Sequence, residues 1–272
     1  MTAPLGRFWT VFAREVRGLV RTRVLFVLLA TVAVFAFGAA RAGGGPAGGY
    51  VPTVVDLLLV VELLVPVVAF AIGYRAIADA TARGEPAILE TYPLSPWTYV
   101  AGVYAGRAVA LLGVVVVPLT ALGVYVATAA GPETTVLASH RGVDSPLLFV
   151  RFLALTALLG LVTLSVALAL SAVANSRRRA ILLGLFGLLF VVGGTDVSVL
   201  AALSGGFVGE SSLGTLLALF PAGAYRGLVF EHVLYVAFEG RSAFVPTGVA
   251  LASLLFWWAS SLTVATLWVG FR

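Results

Sequence analysis

Two ionisable side chains, Glu62 and Arg107, stand inside long apolar runs. Such a group at a bilayer centre costs about 2.5–3.5 kcal/mol on insertion scales unless it is paired or hydrated. Glu62 therefore belongs to a polar pathway or a dimer-interface lock, or it is satisfied by nearby outer headgroups or a neighbouring hydroxyl. Arg107 lies roughly 12 Å into its run at 1.5 Å per residue, so its long side chain either snorkels to the surface or pairs with Glu62. Tyr225, Arg226 and Glu231 form a second polar group in a later segment. They suit contact with an external partner or a locally paired face. Other reactive chemistry is sparse. His140 and His232 are isolated, whereas a metal site needs three or four convergent ligands. The chain has no Cys, and Met1 is its only Met, so thiol and soft-metal chemistry has no ligands to work with. Every basic residue is Arg. A phosphate-cradling GxxxxGK[ST] loop requires Lys, which excludes ATP hydrolysis by that route and leaves the Gly-rich stretch 43–49 as a flexible external turn. A membrane-embedded protease or lipid hydrolase would pair carboxylates and His within its spans, and here both His fall in outer segments.

The elements holding these residues are set by composition. Hydrophobic residues make up 61% and charged residues 11% of the chain, against about 45–50% and 25% in a soluble domain. Mean hydropathy is +1.08. Only helices or closed barrels satisfy every backbone N–H and C=O in lipid, and the runs are too long and continuous for barrel strands. The net charge of +5 comes from Arg near run ends, not from a basic face interleaved with aromatics, so nucleic acid is not an expected partner.

Six spans are predicted over about 24–40, 57–74, 99–130, 147–174, 181–203 and 248–271, the third with a kink at Pro118. Asp196 marks the outer end of the fifth. Ahead of them, Leu5, Phe8, Trp9, Phe12, Val16, Leu19 and Val20 recur at helical spacing opposite Arg7, Arg14, Arg17 and Arg21. This reads as an amphipathic helix over 5–22 lying in the membrane interface. With both termini on one side, the gaps there carry Arg7, Arg14, Arg17, Arg21, Arg23, Arg75, Arg83, Arg177, Arg178, Arg179 and Arg272. The opposite gaps carry Arg41, Arg141, Arg151, Arg226 and Arg241, so the positive-inside rule selects cytoplasmic N- and C-termini. In the outer gap 204–247, apolar stretches around 213–220 and 225–238 are expected to dip into the bilayer as short or re-entrant helices broken at Pro221.

The inner gap 75–98 contains a helix start at Glu85 and Pro86 and a stop at Pro93 and Pro96. A short cytoplasmic helix presenting Ile88, Leu89 and Tyr92 results. The stretch resembles the ABC-2 type permeases, in which an acid, a Gly, a Leu-rich turn, a Pro and a Ser precede a Gly-containing third helix. Asp79, Gly84, Ile88, Leu89, Pro93, Ser95, Gly102, Gly106 and Arg107 are the counterparts here, with Val103 where the family often has Lys. The segment from Phe220 and Pro221 to Arg226 is similar to the Asn-Pro-x-x-x-x-Arg segment of the branch serving nitrous-oxide reductase maturation, with Phe220 in place of Asn. The resemblance implies an all-α polytopic membrane protein in which 1–272 form one transmembrane domain. It implies a homodimer driven by a separate ABC ATPase subunit, which would hold ATP and Mg and contact Glu85, Ile88, Leu89, Tyr92 and Pro93. This chain itself would bind no cofactor and would couple that hydrolysis to export or transmembrane signalling, in the named branch for copper- or sulfur-related enzyme maturation. The alternative is a non-catalytic scaffold for an extracytoplasmic partner.

Overall fold

The computed structural model describes residues 4–79, 95–129, 144–206, 209–238 and 244–270, and every regular element among them is helical. Six helices are long and apolar enough to cross a membrane: α2 (Arg23–Gly43), α4 (Tyr50–Gly73), α5 (Pro96–Ala129), α6 (Pro146–Val173), α7 (Arg177–Ser204) and α10 (Thr247–Gly270). Between and before them lie α1 (Pro4–Val20), α3 (Gly45–Gly48), α8 (Glu210–Ala218), α9 (Pro221–His232) and a 3-10 turn, Leu234–Ala237. The predicted spans are all present, with corrected ends.

The second span starts seven residues earlier than hydropathy suggested, at Tyr50, because Thr53 and Asp56 disguise its first turns. Both are satisfied locally: Thr53 donates to the Gly49 carbonyl at 2.7 Å, and Asp56 accepts from the Gly45 N–H at 2.9 Å. Asp144 caps the same helix from a distance, accepting from Tyr50 N–H (2.7 Å) and Val51 N–H (3.0 Å), two donors that have no intrahelical partner. The glycine stretch ahead of it is a compact turn and not the flexible one predicted. Gly44 and Gly49 take φ of 78° and 108°, and a Cβ on buried Gly45 would lie 2.7 Å from the Thr53 backbone. The third span, α5, runs through Pro118 as one helix. In the fifth, α7 continues eight residues beyond Asp196, so that carboxylate lies within the helix and does not mark its end.

Helix α6 is the centre of the bundle, packed by α4, α5 and α10, with Phe152, Leu159, Leu164 and Leu168 fully buried. Helix α7 stands at the edge and exposes Leu182, Leu185, Phe186 and Leu189. Its first turn holds the exposed Arg177, Arg178 and Arg179, which the helix dipole disfavours. Their place there is a gain for the membrane surface, not for the helix.

α1 packs along α5. A Cβ on Gly102 would meet Val11 Cβ at 2.8 Å, and one on Gly106 would meet Glu15 Cβ at 2.6 Å. The contacts advance four residues on both helices, so the two run side by side in the same direction, with the small residues allowing close approach. The helix expected over 5–22 is present, and one of its faces is packed: Val11 is buried on α5, while Leu5 and Trp9 are exposed.

Candidate functional site

Charge inside the bundle is concentrated in two ionic joints. The first centres on Glu62, twelve residues or about 18 Å along α4 from Tyr50. That is the middle of the helix, and a guanidinium, not a hydroxyl, satisfies Glu62. Its side chain is 4% exposed and is met by Arg226 of α9. Arg226 Nε donates to Oε1 and Oε2 at 3.1 and 3.0 Å, and Nη2 donates to Oε1 at 2.7 Å. Nη1 donates to Asp196 Oδ1 of α7 at 3.1 Å. One guanidinium therefore ties three helices through charge-assisted bonds, using the fork geometry that a Lys lacks.

Arg226 reaches this depth because α8 and α9 form a hairpin bent by 118°. Pro221 occupies the first turn of α9, where its missing N–H costs nothing. The break leaves backbone groups within the apolar bundle, and each needs a partner. The Leu219 carbonyl accepts from Trp257 Nε1 (3.0 Å) and Ser253 Oγ (2.9 Å) on α10, and Gly223 N–H donates to Thr195 Oγ1 on α7 at 3.2 Å. Ser253 and Trp257 lie six and ten residues into α10, which sets the tip about 9–15 Å below that helix's start. The short helices expected here are present and are broken at Pro221. Tyr225, 1% exposed, bonds Thr156 of α6 through its hydroxyl at 3.1 Å.

The second joint lies at the opposite end of the bundle. Arg107 does not reach Glu62. Its Nε and Nη2 donate to Glu15 Oε2 of α1, each at 3.0 Å, and its Nη1 donates to the Ile72 carbonyl on α4. The two side chains are 16% and 12% exposed. Just beyond α4, Ser171 Oγ of α6 accepts from Ile77 N–H (3.0 Å) and Ala78 N–H (3.1 Å). Arg75 and Asp79 then pair at 2.9 Å, and that hydrogen bonding raises the guanidinium above its ordinary value. The base of the inner loop is thus fixed to α1, α5 and α6 at once.

Of the residues singled out by sequence, Glu85, Ile88, Leu89, Tyr92 and Pro93 lie outside the described residues. Glu62 and Arg226 are brought together, while Glu62 and Arg107 belong to different joints. Tyr225 and Arg226 are locally paired, with Thr156 and with Glu62 and Asp196, the second of the two alternatives the sequence left open; Glu231 accepts from Phe244 N–H at 3.2 Å. Sequence reasoning missed Glu15, Thr195, Ser171 and Trp257. Glu15 carried a signal, being the only acid in α1, and so did the small-xxx-small pair Gly102 and Gly106.

Six apolar helices long enough to span, with a sharply bent helix pair between the fifth and sixth, define a multi-pass helical membrane protein. The chain belongs to the ABC-2 transporter family: the model described as ABC-2 family transporter protein matches residues 9–271. It is similar to the probable ABC transporter permease protein NosY of Pseudomonas aeruginosa, 32% identical over 280 residues, with 96% of this chain and 93% of that protein covered. A protein of the same name from Stutzerimonas stutzeri is 28% identical over 277 residues, covering 96% and 97%. The chain is accordingly the membrane permease subunit of an ABC transporter, and the family implies a partner ATPase subunit.

Proposed function

We propose that this permease receives ATP-driven motion from a separate ATPase subunit at Glu85, Ile88, Leu89, Tyr92 and Pro93, and passes it along α4 to the hairpin α8–α9. The observation that carries the reading is that α4 belongs to both ionic joints. Its Ile72 carbonyl is held by Arg107 just before the inner loop, and its Glu62 holds Arg226 on the hairpin. A shift of the loop base therefore acts on the hairpin through one helix. In this reading both termini are cytoplasmic, two copies of the chain form the membrane unit, and ATP and Mg reside on the ATPase subunit. The output is export or transmembrane signalling, and the likeness of the segment from Phe220 to Arg226 to the maturation branch favours a copper- or sulfur-related step. Without sulfur ligands in its spans, the chain would not hold copper through thiolate or thioether.

A second reading, a scaffold for an extracytoplasmic partner, draws support from the ring cluster of Phe230, Phe238 and Phe244, with centroids 5.2–6.2 Å apart near the hairpin's outer end. Purifying the tagged chain in mild detergent from its native host separates the two. Co-purification of an ATP-hydrolysing subunit, lost in Leu89→Asp, is the expected result. Absence of any such subunit, or wild-type association of Leu89→Asp, overturns the coupling role.

A further inference from the structure

On the N-terminal side, a cleft of about 250 Å³ opens between the α1–α2 elbow, the end of α4 and Arg107 of α5. Its depth follows from α2. Twenty-one residues at 1.5 Å each span about 31 Å, matching a hydrocarbon core of about 30 Å, so Arg23 and Arg41 near its ends mark the two membrane surfaces. The cleft is bordered by Thr22 and Val24 and therefore sits at headgroup level. Its lining is divided. Leu25, Leu28 and Ala71 make an apolar wall between α2 and α4, while Thr22, Arg75 and Arg107 make a polar mouth.

The charge at that mouth is positive. Among the lining residues Arg75 and Arg107 stand against Asp79, which is two minus one, or +1, and Arg21 and Arg23 flank the lining Thr22 in sequence. Arg107 is spent on Glu15 and the Ile72 carbonyl and contributes only its field. Arg75 is 30% exposed, and Asp79 engages its Nε and Nη2. A guanidinium carries five N–H donors, so it can serve a second anion beside the first. A partly exposed i,i+4 pair is weak enough for a phosphate to share or displace.

We propose that this cleft binds an anionic phospholipid of the adjacent leaflet, with its phosphate on Arg75 and its acyl chains running along Leu25, Leu28 and Ala71. The volume accommodates a phosphoglycerol headgroup but not two acyl chains, which continue into the bilayer beside α2. Free phosphate would leave the apolar wall unused, and a zwitterionic headgroup would gain less from the excess positive charge. The site adjoins Ile77 and Ala78 at the base of the inner loop, so lipid occupancy would stiffen that base.

The test is native mass spectrometry of the full chain released from nanodiscs containing equal phosphatidylglycerol and phosphatidylcholine. The wild type is expected to retain one phosphatidylglycerol per chain. Arg75→Ala and the cleft-filling Ala71→Phe are each expected to lower that occupancy at least tenfold, while Arg151→Ala, whose guanidinium bonds the His232 carbonyl and lines no part of the cleft, leaves it unchanged. Arg75→Lys is expected to keep part of it, which separates lost charge from lost fold. Unchanged occupancy in Arg75→Ala and Ala71→Phe, equal retention of phosphatidylcholine, or protection from heat by inorganic phosphate alone would overturn the assignment.

Discussion

Removing Arg226 leaves Glu62 as a carboxylate at mid-helix, 4% exposed and stripped of its three bonds of 2.7–3.1 Å. Breaking a buried pair from one side costs about 3–5 kcal/mol, most of it from the orphaned charge. At about 2–4 °C per kcal/mol for a chain of this size, Arg226→Ala should lower Tm by roughly 6–20 °C. Glu62→Gln should cost less, because the remaining Arg226 is 33% exposed and keeps Asp196 at 3.1 Å. The double variant Glu62→Gln/Arg226→Ala removes the orphan, and it should be more stable than Arg226→Ala alone by at least about 1.4 kcal/mol, a tenfold change in equilibrium constant. Thermal unfolding followed by Trp fluorescence in detergent measures all four proteins. Strict additivity of the two single changes, or a shift below about 2 °C in Arg226→Ala, would refute the view that this pair anchors the hairpin.

The packing of α1 makes a second prediction. Gly106→Leu, whose Cβ would fall 2.6 Å from Glu15 Cβ and 3.1 Å from the Phe12 carbonyl, should push α1 off α5 and raise amide exchange along α1 at least tenfold. At the loop base, Ser171→Ala leaves the Ile77 and Ala78 N–H groups without their acceptor in a fully buried place, at about 1–3 kcal/mol. Amide exchange at those two residues should rise at least tenfold while exchange in the middle of α6 stays unchanged.

Much of this architecture is legible because bilayer thickness and backbone satisfaction leave few options. Six apolar runs become six helices, and Pro221 between two short apolar stretches becomes the hairpin break. What stays hidden is set by partners distant in sequence. Glu62 and Arg226 are 164 residues apart, and Glu15 and Arg107 are 92 apart. Hydropathy reports each charge as an anomaly but does not say which anomalies cancel. The start of α4 is concealed for a related reason: Asp56 looks like a loop residue until Gly45 offers its N–H. Amphipathicity, for its part, locates α1 near a membrane surface. It does not register that Gly102 and Gly106 open a seat for Val11 and Glu15 on α5.

The central claim is that motion at the inner loop reaches the hairpin through α4. It is tested most directly by spin labels at Val34→Cys on α2, a helix in neither ionic joint, and Leu219→Cys at the hairpin tip, both exposed positions. The permease is reconstituted with its ATPase subunit, and the distance is compared without nucleotide and with ATP trapped. A nucleotide-dependent change, lost when Leu89→Asp is added, is the predicted result. The same distance distribution in both states, with the ATPase bound and active, would contradict it.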